Sequence, residues 1–176
     1  AVASIRGIAS SQRTTVAAAL ATANAAATVV LWELAIPRML ATAGVARRVP
    51  ALGGSIRNVS PKGGTLNCAN CAVATDATLA GSPASALPGG VTQAAQLARE
   101  LGGSWIPTTG PSGISTIMQS AGPGARGIVF GGRGADVGHF FNVVNQGGAV
   151  RFLDGQAGGA ANLSAGFSNF WLLRTY

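Results

Sequence analysis

A turn between two strand-like runs is the feature of this sequence that most restricts its fold. The runs cover residues 139–144 and 149–153 and are rich in Phe, Val and Leu, as strands are. The segment between them, Asn145-Gln146-Gly147-Gly148, is typical of a tight hairpin turn. With Gln146-Gly147 as the two-residue loop, His139 lies directly opposite Asp154. Because directly opposed side chains project from the same face, this register predicts that they meet at the open end of the hairpin.

Helical patterns precede the strands, and this order predicts an α+β fold in which N-terminal helices pack on an antiparallel sheet. Helices are predicted over residues 67–80, 91–101 and 114–120. Strands are predicted over residues 127–130, 139–144, 149–153 and 170–173. The sheet is therefore expected to come from the C-terminal third of the chain.

The N-terminal part of the chain differs in composition from the rest. Residues 1–50 are Ala-rich and helical in pattern, which predicts a delivery or linker region that precedes the folded domain. Residues 51–63 are rich in Gly, Ser and Pro and are predicted to form a linker. This division leaves residues 64–176 as the α+β domain.

The N-terminal region contains two predicted helices, over residues 16–32 and 38–48. The first is apolar, but Asn24 interrupts it and Glu33 follows it at once. A run of this length only reaches the lower limit for crossing a bilayer, so stable membrane insertion is not expected.

Charge composition narrows the chemistry that this chain can perform. Twelve Lys and Arg residues against five Asp and Glu residues give a formal net charge of +7. The cations are dispersed along the chain and make a poor track for phosphates, so a nucleic-acid partner is not expected. His139 is the only histidine, and two cysteines three residues apart do not complete a four-ligand zinc site. We therefore expect no metal and no cofactor.

Both cysteines, Cys68 and Cys71, lie near the start of the predicted helix over 67–80, and Asn67 and Asn70 both suit its N-cap position. The unsatisfied N–H groups and the dipole of a helix start stabilise a thiolate and lower the pKa of the thiol. A neighbouring imidazolium lowers that pKa further.

His139 is the group that can activate one of these thiols. In this arrangement Asp154 accepts the Nδ1–H of the imidazole, fixes its tautomer and leaves Nε2 for the thiol. A thiol at a helix start, a histidine on a sheet and an acid that orients the histidine are typical of papain-like enzymes.

Four blocks in order carry a resemblance to a known family. They are Asn67-Cys68-Ala69-Asn70-Cys71, Gly138-His139 with Asn142-Val143-Val144, Phe152-Leu153-Asp154-Gly155-Gln156, and Leu172-Leu173-Arg174-Thr175. Together they resemble the papain-fold toxin, or toxin glutamine deamidase, domain of bacterial polymorphic toxins and secreted effectors. The resemblance covers about residues 64–176 and implies a papain-like catalytic domain. It places a Cys-His-Asp triad on the Cys block, His139 and Asp154.

The resemblance implies a protein-glutamine deamidase that works through a thioester. The thiolate attacks the carboxamide of a Gln side chain, ammonia leaves with a proton from His139, and water then releases Glu. Backbone N–H groups at the helix start would hold the oxyanion, with Gln156 and Asn67 as candidate side-chain amides for oxyanion or substrate binding. The implied partners are a protein substrate with a reactive Gln and a cognate immunity protein. The implied location is the target-cell cytoplasm, after delivery by a bacterial secretion system.

Several alternatives stay open on the sequence alone. The Asn-Cys pair at the helix start favours Cys68 as nucleophile, whereas the Cys-x-x-Cys of papain favours Cys71, and we prefer Cys68. A redox function of this pair is less favoured because no Trp or Pro flanks it in a thioredoxin-like context. The same triad also serves a cysteine protease or a deubiquitinase-like hydrolase. A basic nucleic-acid-binding module would rest on the Gly- and Arg-containing stretches at 122–127 and 131–134.

Overall fold

The computed structural model describes residues 49–176, and the predicted helices over 16–32 and 38–48 lie outside this range. The helices of the described range are α1 (Cys68–Leu79), α2 (Ala94–Glu100) and α3 (Pro111–Ser120). Helix α3 begins three residues before its prediction, because Pro111 suits the first helical turn, where its missing N–H costs nothing. Within residues 49–176, no helix has the length and apolar character required to cross a membrane.

Six strands form one sheet in the order β1-β6-β2-β3-β4-β5, and every neighbouring pair is antiparallel. The strands are β1 (Ile106–Thr108), β2 (Arg126–Arg133), β3 (Asp136–Gln146), β4 (Ala149–Asp154), β5 (Gly159–Ala160) and β6 (Asn169–Arg174). The predicted α+β fold with helices packed on an antiparallel sheet is confirmed for this range. Strand β2 is longer than predicted because Gly131 and Gly132 still pair with β6.

Helix α1 is buried on nearly every side, since eleven of its twelve residues are buried. Its side chains are mostly small, and its buried Asp76 is paired with Arg126, so neighbouring segments can pack closely around it. One side packs with Phe140 of β3, and another packs with Val144 of the same strand. The helix start, and Cys68 with it, is therefore held in a fixed position against β3.

Helix α3 covers the opposite face of the sheet. Ile114 and Met118 pack in one cluster with Phe141 and Val143 of β3. Residues 140 and 144 contact α1, while residues 141 and 143 contact α3, as expected from the alternation of side chains along a strand. Strand β3 is thus buried on both faces in its central part.

The segment over 51–63, predicted as a linker, packs against α1 and the sheet. Ile56 and Val59 are buried in the core with Cys71 and Val144. The backbone N–H of Leu52 also donates to the carbonyl of Leu79 at 2.8 Å. The Gly- and Ser-rich segment is thus a coil that Ile56 and Val59 anchor to the core. The domain boundary at residue 64 stays a prediction.

The predicted register of the β3–β4 hairpin is wrong by two residues. The loop is Gly147-Gly148, and Gln146 pairs with Ala149. Both glycines have positive φ, 61° and 98°, which a type I′ turn requires and which Gln146 would adopt only with strain. Asn145 stabilises the turn because its Oδ1 accepts the N–H of Gly148 at 2.8 Å.

The corrected register places Asp154 level with Phe141 rather than with His139. A slip of two residues does not change the face from which a side chain projects, because the side-chain period of a strand is two. His139 and Asp154 are therefore diagonal neighbours on the same face of the hairpin, and their side chains still meet.

Candidate active site

Cys68 is the first residue of α1 and lies beside His139. Its thiol is hydrogen-bonded to the His139 side chain and accepts the backbone N–H groups of Phe140 and Ala69. Burial alone would raise the pKa of the Cys68 thiol, but the hydrogen bond and charge of His139 and the two N–H groups outweigh burial and lower this pKa. The environment of Cys68 therefore favours a thiolate.

The imidazole of His139 joins this thiol to a carboxylate. Its Nε2 lies 2.9 Å from Oδ2 of Asp154, whereas the sequence predicted that Nδ1 would face the acid. Because Nε2 is bonded to Asp154, Nδ1 is the ring nitrogen left for the hydrogen bond with the Cys68 thiol. Burial lowers the pKa of His139, but hydrogen bonds to Asp154 and Cys68, together with their charges, raise it to about 9.

Asp154 is held in place by its own turn. Its Oδ1 accepts the backbone N–H of Gln156 at 2.9 Å and that of Ala157 at 3.4 Å. Burial would raise the pKa of Asp154, but the hydrogen bond and charge of His139 and the two N–H groups lower it. Asp154 is therefore ionised when it meets the imidazole, and it favours the charged form of His139.

Cys71 occupies a different environment from Cys68. It lies one helical turn further along, 1% of its surface is exposed, and it packs in the core with Ile56 and Val59. Burial raises the pKa of the Cys71 thiol, and the negative charges of Asp154 and Cys68 raise it further. The structure thus brings Cys68, and not Cys71, into contact with His139.

Gln156 connects the end of β4 to the start of α1. Its Nε2 donates to the carbonyl of Gly64 at 2.7 Å and to Oδ1 of Asn67 at 3.0 Å. These two bonds use both N–H groups of the amide. Gln156 therefore has no side-chain donor left for an oxyanion in this conformation.

Asn67 stands at the N-cap position of α1, but its side chain makes no capping hydrogen bond. Its Oδ1 accepts from Gln156 instead, and its Nδ2 donates to the carbonyl of Leu87 at 3.5 Å. Asn70, the other predicted cap, donates to the same carbonyl at 3.0 Å. Both amides tie the loop at residues 84–90 to the first turn of α1, and the N–H groups at the helix start keep no side-chain cap.

Sequence reasoning missed two further contacts that position the site. The backbone N–H of Phe140 points to the Cys68 thiol, and no sequence pattern signals such a contact. Asn142 is fully buried and donates through Nδ2 to the carbonyl of Ala72 at 3.0 Å, which joins β3 to α1. A single amide inside the apolar run 140–144 was the available signal for the second contact.

A cleft of about 530 Å³ opens over Cys68 and His139. Its walls come from the loop before α1, the start of α2 and the tip of the β2–β3 hairpin. The lining residues include Thr65, Leu66, Val91, Gln93, Arg133, Asp136 and Val137. The thiol and the imidazole are thus accessible from one concave surface, as a bound substrate requires.

Gly155 allows the Asp154 turn to approach α1. A Cβ at this position would overlap Oγ1 of the buried Thr75 and lie 3.0 Å from the carbonyl oxygen of Cys71. We expect Gly155→Ala to lower the free energy of unfolding by about 1–3 kcal/mol, because the turn must move away from the helix. Thermal unfolding measures this loss, and Gly159→Ala is the matched control because its added Cβ meets no atom within 4 Å. Equal stability of the two variants would contradict the close approach.

The high pKa of His139 gives a second prediction. In Asp154→Asn, the pKa of His139 should fall from about 9 towards its ordinary value of 6.5, because the neutral amide removes the carboxylate charge. Folding raises this pKa, so the stabilisation from protonated His139 is complete below pH 6.5 and is lost as pH rises through about 9.

NMR titration of the His139 ring in wild type and in Asp154→Asn tests the shift directly. Denaturant unfolding tests the linked stability, and the difference between the two proteins should be larger at pH 6 than at pH 10. An unchanged His139 titration would show that Asp154 does not hold the charged imidazole.

The fold, with helices packed on an antiparallel sheet, is that of a papain-like α+β domain. The family model described as papain fold toxin 1, glutamine deamidase, matches residues 66–159. The chain belongs to this family. The matched range includes Cys68, His139 and Asp154, and it ends before β6, which the resemblance drawn from the sequence had included. No curated protein and no solved structure matches the chain.

Proposed function

We propose that this chain is a toxin that deamidates a glutamine side chain of a target protein to glutamate, with Cys68 as nucleophile. The observation that carries the proposal is the contact series from Cys68 through His139 to Asp154, in which Cys68 and His139 line one cleft. The family description names the same reaction. Cys71 is excluded from the nucleophile role in this proposal because it is buried and its thiol pKa is raised.

In the first step, the Cys68 thiolate attacks the carboxamide carbon of the substrate Gln, and the carbonyl oxygen takes the negative charge. We assign the Cys68 backbone N–H to this oxygen, because it is the first N–H of α1 and Asn67 places no side-chain cap there. The protonated Nδ1 of His139 then donates its proton to the leaving nitrogen, and ammonia departs as the C–N bond breaks.

In the second step, neutral His139 accepts a proton from water, and the resulting hydroxide attacks the thioester carbon. The C–S bond breaks, Cys68 regains its thiolate, and the product is Glu. Asp154 stabilises the imidazolium in both steps through its 2.9 Å contact with Nε2. Gln156 and Asn67 act as positioning residues in this proposal, because their mutual hydrogen bond holds the Asp154 turn against the start of α1.

The proposed setting is that of the family. The chain is delivered by a bacterial secretion system, acts in the target-cell cytoplasm, and is held inactive in the producing cell by a cognate immunity protein over the cleft. The protein substrate presents an exposed Gln whose side chain reaches Cys68.

Mass spectrometry of candidate substrate proteins incubated with the purified chain tests the reaction. Deamidation replaces an amide nitrogen with oxygen at one Gln and leaves the substrate chain intact, whereas a protease produces fragments. We expect intact substrates with Gln converted to Glu, and no conversion by His139→Ala. Substrate fragments whose formation depends on Cys68 would contradict the deamidase and show instead that the chain is a cysteine protease.

A further inference from the structure

Three exposed apolar side chains surround the mouth of the cleft. Leu66, Val91 and Val137 keep 50%, 53% and 57% of their surface exposed, and all three line the cleft that contains Cys68. They come from separate segments, namely the loop before α1, the coil before α2 and the start of β3. Single exposed apolar residues are ordinary, but a group that converges on one concavity marks a binding surface. We name these three residues the apolar collar.

The apolar collar lies next to the reacting groups. Leu66 precedes Cys68 by two residues, and Val137 precedes His139 by two residues on the same strand. Both residues line the cleft, Val137 before and His139 after an irregularity in the pairing of β2 with β3. A peptide segment that occupies this cleft and reaches Cys68 therefore also contacts the collar.

The charged side chains that line the cleft provide fewer contacts for a substrate than the apolar collar does. Arg133 donates to the carbonyls of Ala165 and Val137, both at 2.8 Å, and its guanidinium lies 4.6 Å from the centre of the Phe167 ring. Two of its nitrogens and one face of its guanidinium are thus engaged by the β5–β6 loop and the start of β3. Besides Arg133 and His139, the cleft lining contains one more charged residue, Asp136. Its negative charge disfavours an acidic substrate segment.

We propose that the substrate segment carries aliphatic side chains on both sides of its reactive Gln, and that these side chains pack on the apolar collar. The Gln carboxamide stands two methylene groups from its Cα, so the substrate backbone stays at the mouth while the carboxamide reaches Cys68. The residues that flank the Gln then meet side chains of the cleft lining, among which Leu66, Val91 and Val137 are exposed and apolar. This inference rests on the proposed deamidase function and names the class of sequence it accepts.

Two matched peptide probes test the inference on the whole chain. Each carries a chloromethyl ketone analogue of Gln at its centre, so that the Cys68 sulfur bonds to the methylene carbon and chloride leaves. One probe has Leu and Val on both sides of this residue, and the other has Ser and Thr. We expect Cys68 to react at least about tenfold faster with the aliphatic probe, because partial burial of two such side chains is worth that factor.

The triple variant Leu66→Ser/Val91→Thr/Val137→Thr should reduce this ratio to about twofold, since it removes the apolar contacts. The matched control Ile106→Thr changes an apolar residue that is 41% exposed and is not part of the cleft lining, and it should keep the wild-type ratio. A ratio near one in wild type, or an undiminished ratio in the triple variant, overturns the inference.

Iodoacetamide separates this result from the proposed function, because it has no flanking residues and reports on the thiolate alone. Its rate at Cys68 should be equal in wild type and the triple variant and should fall in His139→Ala. A Cys68 that reacts at neutral pH no faster than an ordinary thiol, or that does not respond to His139→Ala, overturns the proposed function itself, whatever the ratio of the two probes.

Discussion

Cys68→Ala is expected to lower the rate of glutamine deamidation by about 10³-fold or more, because loss of a nucleophile removes the covalent route entirely. Cys71→Ala is expected to keep the rate within about threefold of wild type, since truncation of a buried side chain changes stability more than chemistry. The structural basis of the contrast is that His139 contacts Cys68, whereas Cys71 packs with Ile56 and Val59. The measurement is the rate of ammonia release with a substrate protein or a Gln peptide.

Two observations keep this comparison interpretable. Circular dichroism and thermal unfolding establish that both variants are folded at the assay temperature. Alkylation by iodoacetamide at pH 7, followed by peptide mapping, should modify Cys68 in the Cys71→Ala protein and leave Cys71 nearly unmodified in the Cys68→Ala protein. An inactive Cys71→Ala protein that is fully folded, beside an active Cys68→Ala protein, would assign the nucleophile to Cys71.

Asp76→Ala is expected to lower the free energy of unfolding by about 3–5 kcal/mol, because it leaves the buried Arg126 without its carboxylate. Nη1 of Arg126 in β2 lies 2.7 Å from Oδ1 of Asp76 in α1, and both side chains are nearly inaccessible to solvent. Thr175 also donates to the same carboxylate oxygen at 2.7 Å, so the ion pair joins α1, β2 and the last residues of the chain. Urea unfolding followed by fluorescence measures the change.

Asp136→Ala is the matched control for this variant. Asp136 is an exposed Asp, and its removal should change the free energy of unfolding by less than about 0.5 kcal/mol. The double variant Asp76→Leu/Arg126→Met should recover a large part of the lost stability, because apolar groups replace both charges at once. Comparable stability of Asp76→Ala and Asp136→Ala would show that the buried pair contributes little.

Secondary structure and the meeting of His139 with Asp154 were within reach of the sequence. Apolar runs and Gly-rich turns locate β2, β3, β4 and β6, because the pattern of a buried strand is visible in the side chains, whereas the short strands β1 and β5 were not predicted. The predicted register of the β3–β4 hairpin took Gln146-Gly147 as the loop instead of Gly147-Gly148. It still placed His139 and Asp154 on one face. A register error of two preserves the face of every residue, whereas an error of one would have separated them.

Other features of the site depend on contacts that no local pattern contains. The ring nitrogen that faces Asp154 depends on the side-chain conformation of His139, and the prediction of Nδ1 was wrong. The uncapped start of α1 arises because Gln156, distant in sequence, engages the Asn67 side chain. The pairing of Asp76 with Arg126 likewise spans separate elements. Such long-range contacts follow from tertiary packing, which local composition does not encode.

The Cys68 environment has a consequence for the chain before it folds. The groups that lower the pKa of this thiol include the His139 side chain and the Phe140 N–H, and both belong to a strand about seventy residues away along the chain. In an unfolded chain Cys68 is an ordinary thiol with little reactivity at neutral pH. The enhanced reactivity of Cys68 thus arises when helix and sheet dock. The rate of alkylation at Cys68 therefore measures, at a single residue, how far refolding has progressed.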